Sequence, residues 1–126
     1  MGEPETRKTV LVVEDNPVNM TLASDLLTLH GFHVLQADTG EAALRVIHER
    51  IPDLVLTDLH LPGMDGLELF KRIRADATLA SLKVVVLTAS AMREEEAHIR
   101  AMGFTDYISK PIDTRRFVEK IRALTG

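Results

Sequence analysis

The stretch Asp53-Leu-Val-Leu-Thr-Asp58-Leu-His-Leu-Pro-Gly-Met-Asp-Gly66 decides how the rest of the chain is read. Leu54, Val55 and Leu56 form an uninterrupted apolar run, the pattern of a strand covered on both faces. The run ends at a carboxylate, Asp58. A loop with Pro62, Gly63 and Gly66 follows, and then a helical pattern begins. An acid at the carboxyl end of a central strand stands where open α/β sheets hold their ligands. An acid that only ends a strand and caps a turn would look the same in isolation, so the other strand ends must decide.

Towards the N-terminus, Thr9 to Val13 is a second β-branched run, ending in Glu14-Asp15-Asn16-Pro17. Asn16 suits a helix cap and Pro17 its first turn. Val18, Leu22, Leu26 and Leu29 then recur at helical spacing, and Gly31 is placed to stop the helix. His33 to Ala37 is a mixed strand of edge character. Thr39 can cap a second helix carrying Ala43, Leu44 and Ile47, which Pro52 closes.

Towards the C-terminus, Asp65 and Glu68 form a capping box for a third helix with Leu69, Phe70 and Ile73 inward. Val84 to Leu87 is another fully apolar strand and leads to Thr88-Ala89-Ser90. Ser90 is the expected cap of a fourth helix, with Glu94, Glu95 and Glu96 near its positive end and Gly103 after its last turn. Thr105 to Ile108 is a mixed strand leading to Ser109-Lys110-Pro111. Asp113 caps a last helix with Phe117, Ile121 and Leu124 on one face.

Five strands alternate with five helices, which implies a parallel sheet with right-handed crossovers. The apolar runs place strands one, three and four inside and the mixed runs place two and five at the edges. The order 2-1-3-4-5, one of the common doubly wound orders, satisfies this.

The 126 residues suit one domain with a core that needs no disulfide, and residues 1–7 read as a polar, flexible tail ahead of a domain over residues 8–126. The absence of Cys excludes thiolate nucleophiles and Cys metal sites, and it fits a cytoplasmic setting. No run is long enough to span a membrane, and the N-terminus lacks a signal-peptide core. A net charge of −4 with no basic-aromatic patch argues against nucleic acid as a partner.

In such a sheet all carboxyl ends share one rim. Strand one brings Glu14 and Asp15 there, strand three Asp58, strand four Thr88 and strand five Lys110. Three converging carboxylates either raise their pKa values or hold a cation, and a hard ion with oxygen ligands, Mg²⁺, fits. Glu14 and Asp15 could instead cap the first helix, but Asn16 already serves there. Lys110 could be an ordinary surface lysine, although its place between a strand end and Pro111 favours the crevice. A divalent ion, a hydroxyl and an ammonium together neutralise a phosphoryl group on a carboxylate.

The motifs Val12-Val-Glu-Asp-Asn-Pro17, Thr57-Asp58-Leu-His-Leu-Pro-Gly-Met-Asp-Gly66, Leu87-Thr88-Ala89 and Tyr107-Ile-Ser-Lys110-Pro111, in this order, resemble those of the receiver domain of bacterial two-component response regulators. The likeness runs from Thr9 to Leu124 and is greatest to single-domain receivers and the receivers of hybrid kinases. It implies a flavodoxin-like (βα)5 three-layer sandwich. It implies a phosphorelay function in which Asp58 accepts a phosphoryl group from a histidine kinase or histidine phosphotransfer protein. It further implies Mg²⁺ held by Glu14, Asp15, Asp58 and the backbone carbonyl of His60, with Thr88 and Lys110 on the phosphoryl oxygens. Tyr107 is then the aromatic that turns inward on activation, changing a surface of the fourth helix, fifth strand and fifth helix. A cis Lys110–Pro111 bond belongs to the same resemblance. His60 and Ser90 occupy positions that tune rates in the family. Such a domain is not an enzyme beyond its own phosphorylation and dephosphorylation, and a cytoplasmic monomer or weak dimer is expected. Met1 and the short tails suggest a free-standing protein whose output is a protein contact.

Three other readings compete. An aspartate-nucleophile phosphohydrolase shares the strand-end Asp, hydroxyl and Lys but wants a second Asp where His60 stands. A flavin carrier wants a Gly- and hydroxyl-rich loop where Glu14 and Asp15 would repel a phosphate. An interaction module without chemistry would have no need of all five polar positions.

Overall fold

The computed structural model describes residues 7–89 and 93–126, with residues 93–95 through their backbone alone. The expected tail lies almost wholly outside the described residues, as do Ser90 and the side chains of Glu94 and Glu95.

The strands are β1 (Thr9–Val13), β2 (His33–Ala37), β3 (Leu54–Asp58), β4 (Lys83–Thr88) and β5 (Asp106–Ser109). The helices are α1 (Pro17–Leu29), α2 (Gly40–Glu49), α3 (Gly66–Ala75), α4 (Arg93–Ala101) and α5 (Thr114–Thr125), with a 3₁₀ turn at Ala77–Leu79 before β4. All strand pairs are parallel and the order is β2-β1-β3-β4-β5, as expected. The register aligns the carboxyl ends: Val13 faces Thr57, Asp58 faces Leu87 and Thr88 faces Ser109.

Strand alternation divides the core in two. Leu11, Val13, Val55, Val84 and Val86 face Ala43 and Ile47 of α2, Leu69 and Ile73 of α3, and Ile99 of α4. Val10, Val12, Leu54, Leu56, Val85 and Leu87 face Ala23 and Leu27 of α1 and Phe117 and Ile121 of α5. The strand positions are essentially inaccessible. Each buried aliphatic side chain contributes about 1.5–3 kcal/mol, which holds the rim that the strands end on.

The helix starts follow the sequence. Asn16 Oδ1 accepts from the backbone N–H groups of Val18 (2.9 Å) and Asn19 (3.1 Å), and Thr39 Oγ1 from Ala42 (3.0 Å). Asp113 Oδ1 accepts from Arg116 (3.1 Å). Asp65 Oδ1 accepts from Glu68 (2.9 Å), but the Glu68 carboxylate turns to Arg72 at 3.0 Å, so the expected capping box shows its Asp half. Gly31, with φ +93°, follows α1 as the left-handed stop.

One stripe is turned the other way from what apolar spacing ordinarily marks. Val18 and Leu29 are 75% and 78% exposed and Leu22 is 40% exposed, while Leu26 of the same stripe is half-buried against the core and Ala23, Ser24 and Leu27 form the buried face of α1. Ala23 and Ser24 are small enough to bring the helix close to the sheet. The buried Ser24 hydroxyl accepts from Gln36 Nε2 of β2 at 2.8 Å, which removes the cost of placing it there.

Candidate functional site

Four chain segments meet at the carboxyl rim. Glu14 leaves β1 and is 2% exposed, and Asp58 ends β3 at 7%. Asp15, beside Glu14, is exposed. One carboxylate oxygen from each of the three lies within 4.8 Å of the others. Lys110 follows β5 and directs its ammonium between two of them, 2.8 Å from Asp58 Oδ2 and 3.3 Å from Glu14 Oε1. The Lys110–Pro111 bond is cis, and Lys110 N–H donates to the Thr88 carbonyl at 2.7 Å.

Backbone donors complete the arrangement. Asn16 N–H donates to Glu14 Oε2 at 3.1 Å, so the residue that caps α1 also fixes the neighbouring acid. His60 N–H donates to Asp58 Oδ1 at 3.1 Å, while the His60 side chain is exposed. Thr88 is buried at the end of β4, one strand away from Asp58. Tyr107 is half-buried, in register with Val86 on β4, and lies outside the acidic crevice.

The electrostatics follow from burial and pairing. Burial pushes the Glu14 carboxyl above its ordinary range; the Asn16 N–H opposes this, the Asp58 charge adds to it, and Lys110 opposes it. Burial pulls the Lys110 ammonium down, but the bond to Asp58 and the charges of Asp58 and Glu14 outweigh that, so its pKa is raised. Three acids against one ammonium leave surplus negative charge with an all-oxygen donor set. That set suits a hard divalent cation.

All the rim residues expected from the sequence are therefore brought together, with Tyr107 on the adjoining edge. Two features go beyond the sequence reading, which placed Gly66 in the loop and did not single out the charges around Tyr107. Gly66, the first residue of α3, donates its N–H to the Leu59 carbonyl at 2.9 Å and presses on the Asp58–Leu59 backbone. Arg100, Asp106 and Lys120, which read as ordinary surface charges, surround Tyr107.

Among the described residues no helix is long and apolar enough to cross a membrane. The family model for the response regulator receiver domain matches residues 10–122. The chain is 41% identical to the polar-differentiation response regulator DivK of Brucella ovis over 119 residues, covering 94% of this chain and 97% of the relative. Among solved structures it is similar to a putative response regulator from Chloroflexus aurantiacus (TM-score 0.89, 29% identity, 94% and 98% of the two chains). It is also similar to the BeF3-activated N-terminal receiver domain of Klebsiella pneumoniae RstA (TM-score 0.84, 31% identity, 93% and 97%).

Proposed function

This chain belongs to the response regulator receiver domain family, and from that premise we propose that Asp58 accepts a phosphoryl group from the phosphohistidine of a histidine kinase or histidine phosphotransfer protein. The observation that carries this reading is the Asp58 carboxylate held at 2.8 Å by Lys110 inside a cluster of acids. An Asp58 oxygen forms the new bond to phosphorus while the phosphorus–nitrogen bond of the donor breaks, and the imidazole leaves. The product is an acyl phosphate. Such a transfer depends on positioning and charge neutralisation, not on a dedicated acid or base.

Glu14, Asp15, Asp58 and the His60 carbonyl would hold Mg²⁺, which supplies positive charge to the transferring oxygens. The Lys110 ammonium passes from the Asp58 carboxylate to a phosphoryl oxygen. The Thr88 hydroxyl donates to another, a charge-assisted bond that draws it towards Asp58. Tyr107 then moves, and the surface of α4, β5 and α5 changes for a protein target to read. The exposed ridge of Val18, Leu22 and Leu29 begins beside Asp15, so a donor protein resting on it stands next to the crevice.

The test is intact-mass analysis after incubation with a small phosphodonor and Mg²⁺. Wild type gains one phosphoryl mass and Asp58→Asn gains none. Equal labelling of the variant would sink the assignment.

A further inference from the structure

Tyr107 is ringed by charged residues of α4, β5 and α5. Arg100 of α4 lies with Cζ 5.1 Å from the ring centroid, and Lys120 of α5 with Nζ 5.3 Å from it. Asp106, the preceding residue, ties the two cations together: Oδ1 is 3.1 Å from Arg100 Nη2 and Oδ2 is 3.6 Å from Lys120 Nζ. Lys120 Nζ also donates to the Tyr107 carbonyl at 3.2 Å, and Tyr107 N–H donates to Asp106 Oδ1 at 2.8 Å. Glu96 of α4, together with burial, pushes the Tyr107 hydroxyl pKa up. One aromatic ring is thus held by residues of two helices, with a carboxylate that keeps the two cations from repelling each other.

We propose that Arg100, Asp106 and Lys120 form a clamp on Tyr107 that sets how readily the domain responds to a phosphoryl group on Asp58. This rests on the reading of Asp58 as phosphoacceptor and Tyr107 as the residue that moves. Each contact is weak alone, because it is exposed to water and salt. Rotation of the ring breaks both cation contacts in one event, so their effects combine. A ligand that prefers the rotated state binds with an apparent affinity reduced by the fraction of molecules in that state. Loosening the clamp raises that fraction and tightens binding at Asp58, although no clamp residue touches the crevice. Reciprocally, the phosphoryl group loosens the clamp and frees Arg100 and Lys120 for a partner.

The experiment titrates beryllofluoride, with Mg²⁺ in excess, into wild type, Arg100→Gln, Lys120→Gln and the double variant. Tyr107 is the single Tyr and there is no Trp, so its intrinsic fluorescence reports the ring directly, while fluorine magnetic resonance reports the bound anion. Arg72→Gln, which breaks the exposed pair with Glu68 on α3, controls for lost positive charge. The clamp predicts binding tighter by about threefold for each single variant and about tenfold for the double, with Arg72→Gln unchanged. Charge loss alone predicts the opposite sign, since a more negative protein binds an anion less well. Unchanged or weaker binding in Arg100→Gln and Lys120→Gln overturns the clamp. Wild-type binding that persists in Asp58→Asn overturns the underlying reading instead, so the two failures are distinguishable.

Discussion

Gly66 and Gly40 are each the first residue of a helix, and neither has a positive φ, so alanine strains the backbone at neither. Helix propensity alone favours alanine at both, by up to about 1 kcal/mol. Their surroundings differ. A Cβ at Gly66 lies 2.4 Å from the Asp58 carbonyl oxygen, 3.0 Å from Leu59 Cα and 3.2 Å from the Asp58 carbonyl carbon, all backbone atoms of a central strand end. A Cβ at Gly40 lies 2.9 Å from Met64 Sδ and 3.0 Å from its Cβ and Cγ, all atoms of one half-exposed side chain that can shift where a strand backbone cannot. Overpacking against an unyielding neighbour costs about 1–3 kcal/mol, so Gly66→Ala is destabilising by about 1–2 kcal/mol after the propensity gain, and Gly40→Ala is close to neutral. An unfolding entropy of about 2.1 cal/mol/K per residue gives about 0.26 kcal/mol/K for 126 residues, which makes the expected fall in Tm about 4–8 °C. Because the displaced atoms carry Asp58, the Mg²⁺-dependent rise in Tm should also shrink in Gly66→Ala and persist in Gly40→Ala. Scanning calorimetry with and without Mg²⁺ checks both. A Gly66→Ala protein as stable as wild type would refute the close-approach argument.

On α1, Leu27→Ala removes a fully buried side chain and should cost about 2–5 kcal/mol in urea unfolding, whereas Leu29→Ala, 78% exposed, should change stability by less than about 0.5 kcal/mol. Equal effects would mean that the helix is rotated from the position described. Glu14 has a folded-state pKa raised chiefly by burial, so its contribution to stability is full below the ordinary carboxyl value of 4.5 and is lost as pH rises through the folded value. Glu14→Gln lacks that loss. In a chelating buffer its stability relative to wild type should therefore improve between pH 4 and 7, and a difference independent of pH would count against a buried, ionising Glu14.

Strand reading succeeded where burial on both faces makes the pattern unambiguous: Val10 to Val13, Leu54 to Leu56 and Val84 to Leu87 are all central and almost fully inaccessible. The caps were legible because Asn16, Thr39, Asp65 and Asp113 act on donors two or three residues away. The orientation of α1 was not. Hydrophobicity favours the Val18–Leu29 stripe, and only the sheet reveals that Ala23 and Ser24 allow close approach, with Gln36 meeting the Ser24 hydroxyl. The crevice was legible because the strand runs end in polar residues: Glu14 and Asp15, Asp58, Thr88 and Lys110. The Tyr107 cluster was not, since Arg100, Asp106 and Lys120 come from three elements and resemble any surface charges until β5 lies between α4 and α5.

The same strands build the core and deliver the crevice, which ties stability to chemistry. Thr57, fully buried and paired with Val13, is followed by Asp58; Leu87, 2% exposed, is followed by Thr88. A slip of one residue in a parallel pair would exchange the side chains of the two apolar layers along the whole strand and shift its end along the rim. The two apolar layers therefore fix the register, and through it the 2.8 Å approach of Lys110 to Asp58. The edge strand β5 is held differently. Its residues Asp106, Tyr107 and Ser109 are only half-buried, and it is flanked by charged contacts from α4 and α5. Apolar layers resist displacement because their contacts are numerous and dense, whereas a few exposed ionic and aromatic contacts can be exchanged for water at small cost. On the proposed reading of Asp58 as phosphoacceptor, β5, paired with β4 and its Thr88, is the edge that yields, the side on which the clamp lies.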